Sequence, residues 1–200
     1  MPPAGGESDD RNVEGITELR IWSRKDGRGR SFGSSVQFFL PDGSGLSPDA
    51  AWVSNQSLSR LTKQQRRKFL RIVPEFVVEV LSPSDSLKDA NAKMEQWIVN
   101  GVKLGWLIDG DDQCVYVYRK GRRAAARRRV REIAGEGPVA GFVLNLAPNL
   151  GRALITRSRR AGGPGTKRLC LQAVRLAPVQ GARSPIGSAP PEYEASSPVR

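Results

Sequence analysis

No histidine occurs among the 200 residues. That absence removes Ser-His-Asp and Cys-His nucleophile activation, His-ligated zinc and imidazole acid–base chemistry together. The two cysteines, Cys114 and Cys170, stand alone, with neither a CxxC pair nor a framework spacing. A cysteine zinc site and a disulfide scaffold are therefore not expected, and a reducing, cytoplasmic setting is. No apolar run approaches the roughly 20 residues of a membrane span. The start, "MPPAGGESDD", lacks the basic and apolar regions of a signal peptide. Acidic residues are scarce in one part only: residues 1–119 hold 16 Lys/Arg and 16 Asp/Glu, whereas residues 120–200 hold 16 and 4. The net charge of +12 thus belongs to the C-terminal part, and nucleic-acid binding by the first part does not follow from net charge.

What is present reads as one α/β domain with a tail. Residues 1–12 are Pro/Gly/Asp-rich and predict a loop. Ile16, Leu19 and Trp22 recur at a spacing of three after Val13, which predicts a helix ended by "DGRGR". Val36 to Leu40 predicts a strand stopped by Pro41-Asp42-Gly43, and "SPDAAWVS" a second one with Asp49 at its start. "SLSRLTKQQRRKFLRI" carries Leu58, Leu61, Phe69 and Leu70 among six basic residues and predicts a surface helix. Glu75 to Ser82 predicts a buried strand. Ser84 or Ser86 then caps a helix to about Val99, which Asn100-Gly101 closes. "VKLGWLID" and "CVYVYRK" read as strands joined by "GDDQ". "RRVREIAG" reads as an edge strand and "GPVAGFVLNLAPNL" as a last strand or turn packing back onto the domain. The expected organisation is a loop over 1–12, a domain over 13–149 and a basic, Pro/Gly/Ser-rich, disordered tail over 150–200.

One residue is out of place. Glu79 sits in the apolar run "FVVEVL", where an unpaired carboxylate would cost several kcal/mol or become protonated. Locally, a structural ion pair and a metal site explain it equally well. Asp49 opens another strand, and Lys93 lies on the helix after Glu79. Two acids and a lysine are the ingredients of a magnesium-dependent phosphodiester hydrolase. Hard Mg²⁺ takes oxygen ligands such as two carboxylates and a backbone carbonyl, here that of Val80, and a lysine can orient water or neutralise developing charge.

The run "PDAAWVS…PEFVVEVLSPSDSLKDANAKMEQWIVNGVKLGWLID…VYVYRKG…GFVLNL" resembles the Uma-two family of bacterial restriction-endonuclease-like proteins, within the PD-(D/E)XK superfamily. The resemblance covers about residues 2–150. It implies a central mixed β-sheet flanked by helices, Mg²⁺ (or Mn²⁺) as cofactor, and DNA endonuclease activity. It also implies catalytic roles for Asp49, Glu79 and Lys93, with Asp49, Glu79 and the Val80 carbonyl as metal ligands. Leu81 occupies the usual lysine position of the superfamily, so the lysine is expected from the next helix. Glu14 matches loosely as an accessory acid. Relative to the family the chain is expected to begin late, without an N-terminal hairpin, and its tail does not look like the family.

Each residue has a plainer reading. Asp49 alone is a turn residue and Lys93 alone a solvated one. Ser82 to Asp85 turn the chain; no histidine activates a serine there. Arg122, Arg123, Arg127, Arg128 and Arg129 are candidates for phosphate contact, yet also read as a solvated charge run. Trp97 and Trp106 read as core. The expected partners are DNA and, left open, a second copy of the chain in a homodimer, with no membrane. The alternative function is a catalytically inactive, truncated descendant acting as a nucleic-acid- or protein-binding module.

Overall fold

A computed structural model describes residues 6–82 and 84–146; the expected tail after Asn149 lies outside them. Helix α1 spans Gly6–Asp26, which corrects the loop expected over 1–12 at residues 6–12; residues 1–5 lie outside the described ones. In the sequence the helix-breaking prolines end at Pro3, and the Gly, Ser and Asp that follow are tolerated in a first helical turn. Leu19 is fully buried, and Ile16 and Trp22 pack beside it, as their spacing predicts. Gly27, at a φ of 73°, turns the chain out of the helix.

Strand β1, Gly29–Gly33, follows at once. It includes part of "DGRGR", a glycine-rich stretch that by itself predicts no strand. The strand expected over 36–40 is only β2, Phe38–Phe39, paired in a small separate hairpin with β3, Gly45–Leu46. The Asp42 carboxylate in its turn accepts from the Ser44 amide and hydroxyl and from Asn100 Nδ2. Those donors hold its carboxyl well below the usual range.

Strand β4, Ala50–Ser54, leads into the short helix α2, Asn55–Ser59, capped by the Ser54 hydroxyl. The expected surface helix stops here. Thr62 Oγ1 accepts from the Gln65 amide while Gln65 Oε1 accepts from the Thr62 amide. This capping box restarts the chain as a single 3₁₀ turn, Gln65–Arg67. Leu58, Leu61 and Leu70 are buried, but Phe69 is 60% exposed.

Strand β5, Phe76–Leu81, is followed by helix α3, Leu87–Val99, capped by Ser86 rather than Ser84. Strands β6, Leu104–Asp109, and β7, Cys114–Arg119, form the expected hairpin. The single expected strand "RRVREIAG" is divided between two. Strand β8, Ala125–Arg128, pairs with β7. The next strand, β9 (Glu132–Ala134), leaves the sheet to pair with β10, Val143–Asn145. Arg129, at a φ of 51°, marks the break.

The main sheet runs β1-β4-β5-β6-β7-β8. Only β5 and β6 are parallel, joined across the sheet by α3. β5 and β6 are buried nearly throughout, as a strand covered on both faces requires. One face packs Trp52, Phe76, Trp106 and Phe142 beneath α1; the other packs Val77, Leu107, Phe38, Met94 and Trp97 beneath α3. Each such fully buried large side chain contributes about 1.5–3 kcal/mol. Among the described residues no helix is long and apolar enough to cross a membrane.

Glu75, just before β5, fastens this frame. Its carboxylate accepts from the Ser54 amide, the Ser54 hydroxyl and the Ser57 hydroxyl, joining the start of β5 to the end of β4. Glu75→Ala strands three donors, and is expected to lower the unfolding free energy by about 2–3 kcal/mol in urea titrations.

Candidate active site

The β4–β5 ladder ends at Ala50–Val78, so Val80 reaches beyond the start of β4. In place of a strand partner it meets the Asp49 side chain, whose Oδ2 accepts from the Val80 amide at 2.7 Å. A strand residue projects its N–H and C=O to the same side. The Val80 carbonyl is therefore directed into the gap that Asp49 borders.

Alternation along β5 turns Val77, Glu79 and Leu81 toward α3. Glu79 is 6% exposed. Its two oxygens are held by residues four apart on α3, the spacing that puts side chains on one helix face. Lys93 Nζ donates to Oε2 at 2.8 Å and Trp97 Nε1 to Oε1 at 2.9 Å. Lys93 Nζ also donates to the Ser47 carbonyl at 3.0 Å, tying α3 to the segment that delivers Asp49. The ion pair, the two acids and the Val80 main chain thus meet at one place.

Two carboxylates face one lysine, and the electrostatics reflect it. Burial raises the Asp49 carboxyl above its ordinary value; the Val80 amide and Lys93 oppose the shift, and Asp85 adds to it. Burial also raises Glu79, to about 7, against the pull of Lys93 and with a further push from Asp49. Among the described residues no cluster of three acidic, Cys or His side chains is present. The oxygen set is two carboxylates and a main-chain carbonyl. That set suits Mg²⁺, which binds through one or two carboxylates and keeps several waters.

The other candidates lie elsewhere. Glu14 is in α1, and its side chain lies outside the described residues. Arg122 and Arg123 are exposed in the turn after β7, and Arg127 and Arg128 on β8. β8 lies three strands from β5, roughly 14 Å away at the usual strand spacing. Register places Arg128 opposite Cys114 and Arg127 opposite Val115, so the two point to opposite faces and the run forms no single basic surface. Trp97, which reads as plain core in the sequence, is the site residue that sequence reasoning misses. Its signal is a buried indole N–H, which needs an acceptor, four residues after the lysine.

A family model described as "Putative restriction endonuclease", Uma2, matches residues 1–147. The chain belongs to the Uma2 family. The fold of this Uma2 chain is similar to a solved structure, a "putative nuclease belonging to DUF820" from Anabaena variabilis, with a TM-score of 0.62 at 20% identity over 74% of this chain and 82% of that one. At that identity the likeness is one of fold, and it bears out the mixed sheet flanked by helices. A chain of the DrdV–DNA complex aligns at a TM-score of 0.36 and 13% identity, over 60% of this Uma2 chain and 11% of its own, too slight a likeness to carry an argument. No curated protein matches the chain.

The raised Glu79 carboxyl makes stability depend on pH. The folded state binds that proton more tightly than the unfolded one, so this contribution is complete below about 4.5 and is lost as pH rises through about 7. In metal-free buffer the unfolding midpoint is expected to fall between about pH 5 and pH 7.5, and Glu79→Gln to flatten that dependence in a pH series of thermal melts. Lys93→Met removes the cation that pairs with the carboxylate. It is expected to cost about 3 kcal/mol at pH near 8 and clearly less near pH 5, where the carboxyl is protonated.

Proposed function

We propose that this chain is a metal-dependent endonuclease that hydrolyses DNA phosphodiester bonds. The observation that carries the reading is the reach of Lys93 across from α3 to Glu79, beside Asp49 and the Val80 main chain. It restores an acid–acid–lysine set in a chain whose usual lysine position holds Leu81. Family membership supports nuclease chemistry; the metal, the DNA and the residue roles are this proposal's own.

Asp49, Glu79 and the Val80 carbonyl would hold Mg²⁺ or Mn²⁺, which when bound supplies a water of lowered pKa and offsets charge building on the scissile phosphate. The chain's own groups do the positioning. Lys93 spends two of its three protons on Ser47 and Glu79, which fixes its ammonium and leaves one donor for the attacking water or a phosphate oxygen. Trp97 keeps the second Glu79 oxygen in place. The Val80 amide orients Asp49. Glu79 serves as a ligand only when ionised, and the cation competes with the proton that burial favours, so at limiting Mg²⁺ cleavage is expected to rise with pH, and to do so at lower pH as Mg²⁺ is increased.

A second reading rests on the same contacts. Both Glu79 oxygens already accept a hydrogen bond, which is what a purely structural ion pair requires, and a non-catalytic module that binds nucleic acid or protein would keep it.

Plasmid nicking separates the two. The wild-type chain is expected to nick plasmid with Mg²⁺ and not with EDTA, and Glu79→Gln and Asp49→Asn to reduce the rate at least 100-fold, about 3 kcal/mol of transition-state stabilisation. Circular dichroism should remain that of the wild type. Nicking by Glu79→Gln at the wild-type rate would sink the assignment. A wild-type chain that neither nicks nor shifts its melting midpoint with Mg²⁺ would establish the structural reading.

A further inference from the structure

Between Asp49 and Glu75 the chain carries six basic residues, Arg60, Lys63, Arg66, Arg67, Lys68 and Arg71, and no acidic one. All six are exposed, and none forms an ion pair among the described residues. A block of about five or six like charges repels itself and ordinarily stays disordered. This one is held in place. Leu61 and Leu70 are buried at its two ends, while every residue of 62–69 is exposed. Arg66 Nε donates to the Leu61 carbonyl at 3.1 Å, beside the Thr62–Gln65 box. The Leu70 amide donates to the Gln37 carbonyl at 3.0 Å, and the Leu70 carbonyl accepts from the Phe39 amide at 2.9 Å. The fold thus fixes a loop whose side chains between the anchors all face water.

An aromatic ring stands among these charges. Phe69 and Arg71 flank the buried Leu70 and are both exposed, Phe69 by 60%. Its ring meets that of Phe39 edge-on, with centroids 5.9 Å apart, and the Arg71 guanidinium lies 5.0 Å from the Phe39 centroid. These contacts steady Phe69 and leave it mostly in water. On the inner side of the loop, Arg66 and Arg30 line a cavity of about 290 Å³ with Phe32, Leu58 and Leu70. Arg30 stands opposite Val53 in the β1–β4 register, and Val53, Leu58, Leu61 and Leu70 all belong to the core beneath α3. Loop, ring and cavity therefore lie on one side of the sheet.

Cations without counter-charges fit an anionic partner, and an exposed ring beside them fits a flat apolar one. A single nucleic-acid strand presents both at short intervals, as phosphates and unstacked bases; in a duplex the bases already stack on each other. An anionic lipid surface matches the charge, but a lone phenyl ring offers it little apolar area to insert.

We propose that residues 60–71 bind single-stranded nucleic acid, with phosphates on Lys63, Arg66, Arg67 and Lys68 and a base stacked on Phe69. This binding makes no use of Asp49, Glu79 or Lys93. That the bound strand is also the one cleaved rests on the nuclease reading; that it binds here does not.

The test is fluorescence anisotropy of a labelled mixed-sequence oligonucleotide, alone and annealed to its complement, with the full chain in EDTA across a salt series. Arg67→Ala/Lys68→Ala is expected to weaken single-strand binding at least tenfold and to flatten the log K against log salt slope by about 1.4. Arg122→Ala/Arg123→Ala, which removes the same charge from the turn after β7, should change both little. Phe69→Ala should weaken single-strand binding at least about fivefold with the salt slope unchanged, and Phe69→Trp should restore it. Equal weakening by the two double variants would overturn the proposal, since binding would then follow net charge. Wild-type affinity in Arg67→Ala/Lys68→Ala or in Phe69→Ala would overturn it as well, as would a duplex bound as tightly as the single strand. A chain that ignores DNA but binds phosphatidylserine vesicles through Arg67 and Lys68 would assign the surface to a membrane instead. Binding that depends on Phe69 in a chain that never nicks DNA keeps this surface and loses the nuclease; Glu79-dependent nicking with normal binding by the surface variants does the reverse.

Discussion

The carboxylate of Glu79 is the constraint around which the rest is arranged. A charged group on the covered face of an inner strand must find donors inside the protein, and both come from a single helix. Lys93 and Trp97 occupy one face of α3, one turn apart, and each takes one oxygen. This fixes the rotation of α3 about its axis and its position over β5. The same lysine reaches the Ser47 carbonyl and so holds the segment that ends in Asp49. The crossover between the two parallel strands and the candidate site therefore share one contact.

That sharing has an electrostatic consequence. A single lysine balances two partly or wholly buried acids, and both carboxyls are raised above their ordinary values. An oxygen-rich site with an excess of negative charge is a place where a divalent cation lowers the free energy. It is also a place where a proton does. The competition between the two links the fold's stability to the chemistry proposed for it.

The two edges of the sheet are built differently. At β8 the arginines alternate between faces and stand apart from the acids. At β1, beside the strand that follows Asp49, Arg30 lies on the face of Val53 and the buried, unpartnered Ser31 hydroxyl on the face of Trp52. Counting charge would choose the first edge, since residues 120–200 hold all of the net +12. Geometry favours neither, because at both edges alternation divides neighbouring strand residues between the two faces.

Much is legible in the chain itself. The run around Glu79, the capped helix after it and the alternating hairpin strands are written within a few consecutive residues, where local periodicity and capping act. The Thr62–Gln65 box is written there as well, although apolar spacing alone favours one long helix through it. The absence of histidine limits the chemistry at the level of residue types. Other features depend on tertiary placement: the bond from Val80 to Asp49 spans 31 residues and that from Lys93 to Glu79 spans 14. The partner of the glycine-bounded β1 and the pairing of Ser31 with Trp52 likewise follow from strand order and register. The sequence by itself determined which residue types were at hand and the local elements that carry most of them. Only the tertiary structure decided which of them meet, because burial and register act between segments that the chain keeps far apart.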